Sequence, residues 1–124
     1  MPTKILVIRA SDFIKATMEG KIDFERSKKT LIKVAEAAAP LTEYGIILDT
    51  RKAKGELSPT DLWSLAAELG KLGKAFYGKT AVLSPLKRFN HAEFFALCAQ
   101  RRGFPVSAFT SYEDAMEYLQ ASDN

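Results

Sequence analysis

The sequence predicts an α/β protein: a mixed, mostly parallel five-stranded sheet with four helices, in the order β-β-α-β-α-β-α-β-α. Three observations lead there. From the second strand onward, short apolar runs alternate with segments of helical period, which implies right-handed crossovers and parallel pairing. The first two apolar runs are separated only by the region of Ser11-Asp12, which suits a hairpin whose first strand is an antiparallel edge. The length, 124 residues, is that of one domain, and no linker or repeat divides it, so residues 1–124 are read as a single domain.

Each element has a local reason. KILVIRA is rich in β-branched residues, and FIKATMEGKI alternates Phe13, Lys15 and Thr17 with Ile14, Ala16 and Met18, the period of a strand. Asp23 can cap the next segment, where Phe24, Leu31, Ala35 and Ala38 recur at helical spacing until Pro40 stops the run. Tyr44 to Leu48 is nearly continuous in apolar residues, as a strand covered on both faces should be, and the loop Thr50 to Leu57 follows. Ser58-Pro59-Thr60-Asp61 then sets a cap, a proline at the first helical position and an acid at the third, opening a helix with a stripe of Leu62, Leu65, Ala66, Leu69 and Leu72. Thr80 to Leu83 is a fourth strand. Asn90 with Glu93 predicts a capped third helix ending at Gly103, PVSAF a fifth strand, and Thr110 with Glu113 the cap of a last helix carrying Tyr112, Ala115, Met116 and Leu119.

Composition narrows the function classes. With a single cysteine, Cys98, and a single histidine, His91, an internal disulfide and a Cys/His zinc cluster are both excluded, and no cofactor is implied. No apolar run reaches the length of a spanning helix, and Ile5 to Ile8 lacks the form of a signal peptide, so the expectation is a soluble cytoplasmic protein. The net charge of +3 gathers in Arg51-Lys52-Lys54, Lys71-Lys74-Lys79, Lys87-Arg88 and Arg101-Arg102. Aromatic residues are not interleaved with these groups on one strand face, which weighs against nucleic acid and leaves a local anionic contact.

Gly73-Lys74-Ala75-Phe76-Tyr77-Gly78-Lys79-Thr80 satisfies the spacing of a phosphate-cradling loop. That loop works on leaving a strand and entering a helix; this segment leaves a helix and enters a strand, so it reads as a turn. Asp49 ends the most apolar strand, at the edge where α/β sheets collect ligands, but capping of the next turn or pairing with Arg51 explains it as well. An enzyme would need Asp49 brought together with His91 or Ser84 in a cleft. Cys98 follows His91 by seven residues on an apolar helical side, too far along one helix for a dyad, and reads as a packed thiol.

Four stretches, IILDTR (46–51), SPTDLW (58–63), KTAVLS (79–84) and FTSYEDAMEYL (109–119), carry a resemblance that extends from Lys4 to Leu119. Together they resemble a STAS domain, and more closely the SpoIIAA-like (STAS/Sec14-like) branch. The resemblance implies a non-enzymatic, bacterial regulatory or protein-interaction module similar to anti-sigma-factor antagonists, with a protein partner held around the second helix and a homodimer as a further expectation. It also implies a phosphorylation switch at that helix's start, here Ser58, where Leu57-Ser58-Pro59-Thr60 stands in place of the family's Asp-Ser-Ser-Gly. The candidate interaction or switch residues are Asp49, Thr50, Arg51, Lys52, Lys54 and Ser58. A phosphate at Ser58 would add about two negative charges at a helix N-terminus, with Arg51, Lys52 or Lys54 to pair with them. The Sec14-like side of the resemblance implies, as the alternative, a lipid or other small apolar ligand between sheet and helices, with Trp63, Phe76, Tyr77 and Phe89 as a candidate apolar groove.

Overall fold

The structure is a computed structural model; it describes the backbone of residues 4–9 and the whole of residues 13–121. The expected hairpin turn at Ser11-Asp12 lies outside the described residues. The chain runs through β1 (Lys4–Arg9), β2 (Phe13–Lys21), α1 (Phe24–Ala38), β3 (Gly45–Lys54), α2 (Pro59–Leu72), β4 (Thr80–Leu83), α3 (Phe89–Arg101), β5 (Val106–Phe109) and α4 (Tyr112–Gln120).

The expected fold class is corrected in two respects. The regular unit is a four-stranded parallel sheet, β2 to β5, in which strand and helix alternate as β-α-β-α-β-α-β-α. β1 stands outside that alternation: no crossover separates it from β2, so it pairs antiparallel and extends the spatial order to β1-β2-β3-β4-β5. In addition, 3-10 turns at Gly73–Phe76 and Leu86–Arg88 flank β4 and have no counterpart in the expected string.

The strand order decides what covers each face. Because every crossover advances in the same direction, α1, α2 and α3 fall on one face, and α4, which follows the last strand, covers the other. Ile14, Ala16, Ile46, Leu48, Val82 and Val106 point to the three-helix side, where they meet Leu31, Val34, Leu65, Leu69, Phe76 and Phe95. Ile47, Ala81 and Leu83 point the other way, against Ala115, Met116 and Leu119 of α4. Ile46 and Ile47 are both fully buried, as the unbroken apolar run of β3 requires.

Caps explain most helix starts. The Asp23 side chain accepts from the Arg26 N–H at 2.8 Å, and Ser58 and Asp61 form a reciprocal capping box. Two expectations are corrected. α4 is capped by Ser111, which accepts from the Asp114 N–H at 3.3 Å; Thr110…Glu113 and Ser111…Asp114 offer the same pattern one residue apart. α3 begins at Phe89 with no side-chain cap, because the 3-10 turn runs straight into it and Asn90 is already helical.

One polar atom in the core lacks a partner. The Thr80 hydroxyl, at the start of β4, is buried and makes no hydrogen bond among the described residues. Replacing it with a methyl group removes a desolvation cost, so Thr80→Val should raise the unfolding free energy by about 1 kcal/mol in a urea titration. A loss of stability would show that the hydroxyl is paired.

Candidate functional site at the carboxyl edge of the parallel strands

β3 is longer than its apolar run because it continues through a bulge. Thr17 pairs with Asp49 but Glu19 pairs with Lys52, so Thr50 and Arg51 of β3 together oppose Met18 of β2. The expected loop from Thr50 is therefore strand as far as Lys54, and the connection to α2 shrinks to Gly55–Ser58. A bulge re-aims side chains, and here it lets Arg51 turn back on Asp49.

Asp49 is 5% exposed on the α4 side of the sheet. Its Oδ1 accepts from the Arg51 backbone N–H at 3.1 Å and from Arg51 Nε at 3.0 Å, and its Oδ2 from Arg51 Nη2 at 2.9 Å, with Lys15 Nζ at 3.8 Å. Burial pushes the Asp49 carboxyl upward, but the hydrogen bonds from Arg51 and the charges of Arg51 and Lys15 outweigh it and hold the carboxyl below the usual aspartate value. The Lys15 ammonium also lies 5.1 Å from the centre of the Tyr112 ring in the first turn of α4. This cluster ties β2, β3 and α4 together and keeps Asp49 ionised, an anchor for the strand end rather than a proton donor.

Thr50 faces the other way. Its hydroxyl donates to the Leu83 carbonyl at 2.7 Å and borders a cavity of about 100 Å³ between the sheet and α1, α2 and α3. Ser84 and His91 line the same cavity. Asp49 thus lies across the sheet from both, and the constellation an enzyme would need from Asp49 with His91 or Ser84 is not assembled. Arg88, in the 3-10 turn after β4, donates from Nη2 to the carbonyls of Thr50 at 3.0 Å and Ala53 at 2.7 Å, closing the bulge from the three-helix side. Arg88 was legible only as half of a basic pair; its role depends on a bulge that has no signature in the sequence.

Beyond the bulge, Lys52 lies 3.9 Å from Glu19, and Lys54, the exposed last residue of β3, has no ionic partner among the described residues. Ser58 is exposed at the α2 N-terminus, its hydroxyl accepting from the Asp61 N–H. Of the three cations expected to serve Ser58, Arg51 is committed to Asp49 and Lys52 lies beside Glu19.

The four aromatic residues do not share a groove. Phe76 is fully buried in the three-helix core. Trp63 is 55% exposed on α2, with the Arg102 guanidinium 4.8 Å from its ring centre. Tyr77 is exposed and stacks at 6.1 Å on Phe104, Phe89 is half-buried at the start of α3, and none of the four lines the cavity.

The phosphate-loop spacing has a structural explanation at each fixed position. Gly73 ends α2 with φ of +61°, and a Cβ on Gly78 would lie 2.9 Å from the Tyr44 carbonyl oxygen. Lys79 donates to the carbonyls of Tyr118 at 3.3 Å and Ala121 at 2.8 Å, the C-terminal end of α4, while Thr80 is core. Cys98 is half-buried against the core. Among the described residues no group of three or more His, Cys, Asp or Glu could hold a metal ion, and no helix is long and apolar enough to cross a membrane.

No sequence-family model matches the chain, and no curated protein matches its sequence. Solved structures do match. An uncharacterized protein of the DUF3478 family with a SpoIIAA-like fold, from Shewanella loihica PV-4, is 19% identical over 94% of this chain and 93% of its own, with a TM-score of 0.60. An anti-sigma factor antagonist from Mycobacterium paratuberculosis is 20% identical over 97% of this chain and 96% of its own, with a TM-score of 0.59. The anti-sigma factor antagonist SpoIIAA in its unphosphorylated form is 14% identical over 98% and 100%, with a TM-score of 0.54. The chain has the SpoIIAA-like fold.

Proposed function

We propose that residues 1–124 form one non-enzymatic, protein-binding regulatory module of the anti-sigma-factor-antagonist kind, whose partner sits on the exposed start of α2. The observation that carries this reading is the presence of an exposed capping serine, Ser58, and an exposed tryptophan, Trp63, five residues apart at the start of the same helix. Trp and Arg are the residues that most often anchor interfaces, and Arg102 stacks on this Trp63. The near end-to-end likeness to two anti-sigma factor antagonists supports the same reading. Asp49, Arg51, Lys52 and Lys54 lie towards the end of β3, the strand that leads into α2. A phosphate on Ser58 would place its charge on the partner surface.

Ser58→Asp separates charge from helix capping, because Asp caps as well as Ser. Affinity capture from the source organism with wild type, Ser58→Ala and Ser58→Asp as baits, read by quantitative mass spectrometry, tests the proposal. We expect a protein partner held by wild type and Ser58→Ala and lost with Ser58→Asp. Equal capture by all three contradicts a switch at Ser58.

A second reading has its own observation. The cavity between the sheet and α1 to α3 has walls that are almost wholly apolar and opens at the carboxyl ends of β2, β3 and β4, which favours a small apolar ligand.

A further inference from the structure

We propose that this cavity takes a short monocarboxylate, with a tail of five or six carbons or a single ring inside and its carboxylate at Arg88. The inference rests on the cavity reading just given and adds the size and charge of the ligand.

Size comes from the walls. Leu31, Leu48, Leu62, Leu65, Val82 and Phe95 enclose about 100 Å³. An apolar cavity of about 150 Å³ accommodates benzene, so this one suits a tail of about that size or slightly smaller. A long acyl chain does not fit within it.

Charge comes from one end. Thr50 and Ser84 donate their hydroxyl protons to the carbonyls of Leu83 and Pro85, both at 2.7 Å, so they offer a ligand lone pairs and no proton. Arg88 differs. Both of its hydrogen bonds leave from Nη2, to the carbonyls of Thr50 and Ala53, and these hold the guanidinium in place without neutralising it. Its Nε and Nη1 make no hydrogen bond, and it has no acidic partner, among the described residues. A half-buried guanidinium fixed at the mouth of an apolar cavity is complementary to an anion that carries an apolar tail. His91, on the same wall, adds a second polar group at that end.

Calorimetric titration of the full chain with hexanoate, 1-hexanol and dodecanoate tests the assignment. Wild type should bind hexanoate at one site, roughly tenfold or more tighter than hexanol, the difference a charge-assisted hydrogen bond makes. Arg88→Gln should abolish that preference and leave hexanol binding, and Arg88→Lys, which keeps the charge, should retain it. Ala92→Leu projects three more carbons into the cavity from α3 and should abolish both, with the thermal transition unchanged or raised. Equal affinity of wild type for hexanoate and hexanol overturns the anion assignment and leaves the apolar cavity standing. Tighter binding of dodecanoate overturns the size argument. Absence of binding by hexanoate and hexanol alike, or binding that survives Ala92→Leu, overturns the cavity reading itself.

Discussion

Phe76→Ala should lower the unfolding free energy by about 3–5 kcal/mol, the cost of truncating a buried aromatic side chain. Phe76 is 0% exposed and stands in the 3-10 turn where the chain passes from α2 to β4, with its ring in the three-helix core. The cavity left behind would be lined by side chains anchored in both a helix layer and the sheet, so it cannot close by moving a loop. Trp63→Ala is the control: its ring is mostly in solvent, and we expect a change within about 0.5 kcal/mol. Urea unfolding of the two variants checks both values. A large loss at Trp63 and a small one at Phe76 would reverse their assignment to partner face and core.

Asp49→Ala should cost about 2–3 kcal/mol at neutral pH. Removing one partner of a buried ion pair typically costs 3–5 kcal/mol, and the lower figure applies here because the Arg51 side chain is 40% exposed and can be rehydrated. The pH dependence has a definite sign. The folded-state pKa of Asp49 is depressed relative to the unfolded chain, so its contribution is full above the ordinary aspartate range and is lost as pH falls through the folded value. Unfolding curves of wild type and Asp49→Asn from neutral to acid pH should therefore converge at the acid end. A difference that stays constant over that range would mean that Asp49 contributes through packing and not through its charge.

The sequence made the elements legible wherever local chemistry had one solution. Asp23 and Ser58 with Pro59 each state a boundary that the structure contains, whereas the apolar run ending at Leu48 marks the start of β3 and not its end, which lies at Lys54. Boundaries shifted where two solutions were equivalent, as at Thr110 and Ser111, or where a 3-10 turn supplied the first amide partners, as before Phe89. The site was legible in its members more than in its arrangement. Asp49 and Thr50 are neighbours in sequence, yet strand alternation sends one towards α4 and the other towards the cavity. The bulge that returns Arg51 to Asp49 and offers two carbonyls to Arg88 arises from pairing between β2 and β3, a long-range register that no local pattern encodes.

The basic groups show the same limit. Their surplus suggested anion binding in general, but Arg51 is bound to Asp49, Lys71 to Glu68 at 3.1 Å, Lys79 to the end of α4 and Arg102 to the Trp63 ring. Lys54, Lys74, Lys87, Arg88 and Arg101 have no acidic partner among the described residues, and of these it is Arg88 that lines the cavity and is fixed there by two hydrogen bonds.

The dissociation constant of the purified captured partner, measured for wild type, Ser58→Asp, Trp63→Ala and Ala92→Leu, tests the account most directly. If the start of α2 is the partner face, Ser58→Asp and Trp63→Ala each weaken binding roughly 30-fold or more, the loss expected of an interface hot spot, and Ala92→Leu leaves it unchanged. Wild-type affinity in Ser58→Asp and Trp63→Ala, with binding lost in Ala92→Leu, would contradict the account and move the partner's site to the cavity.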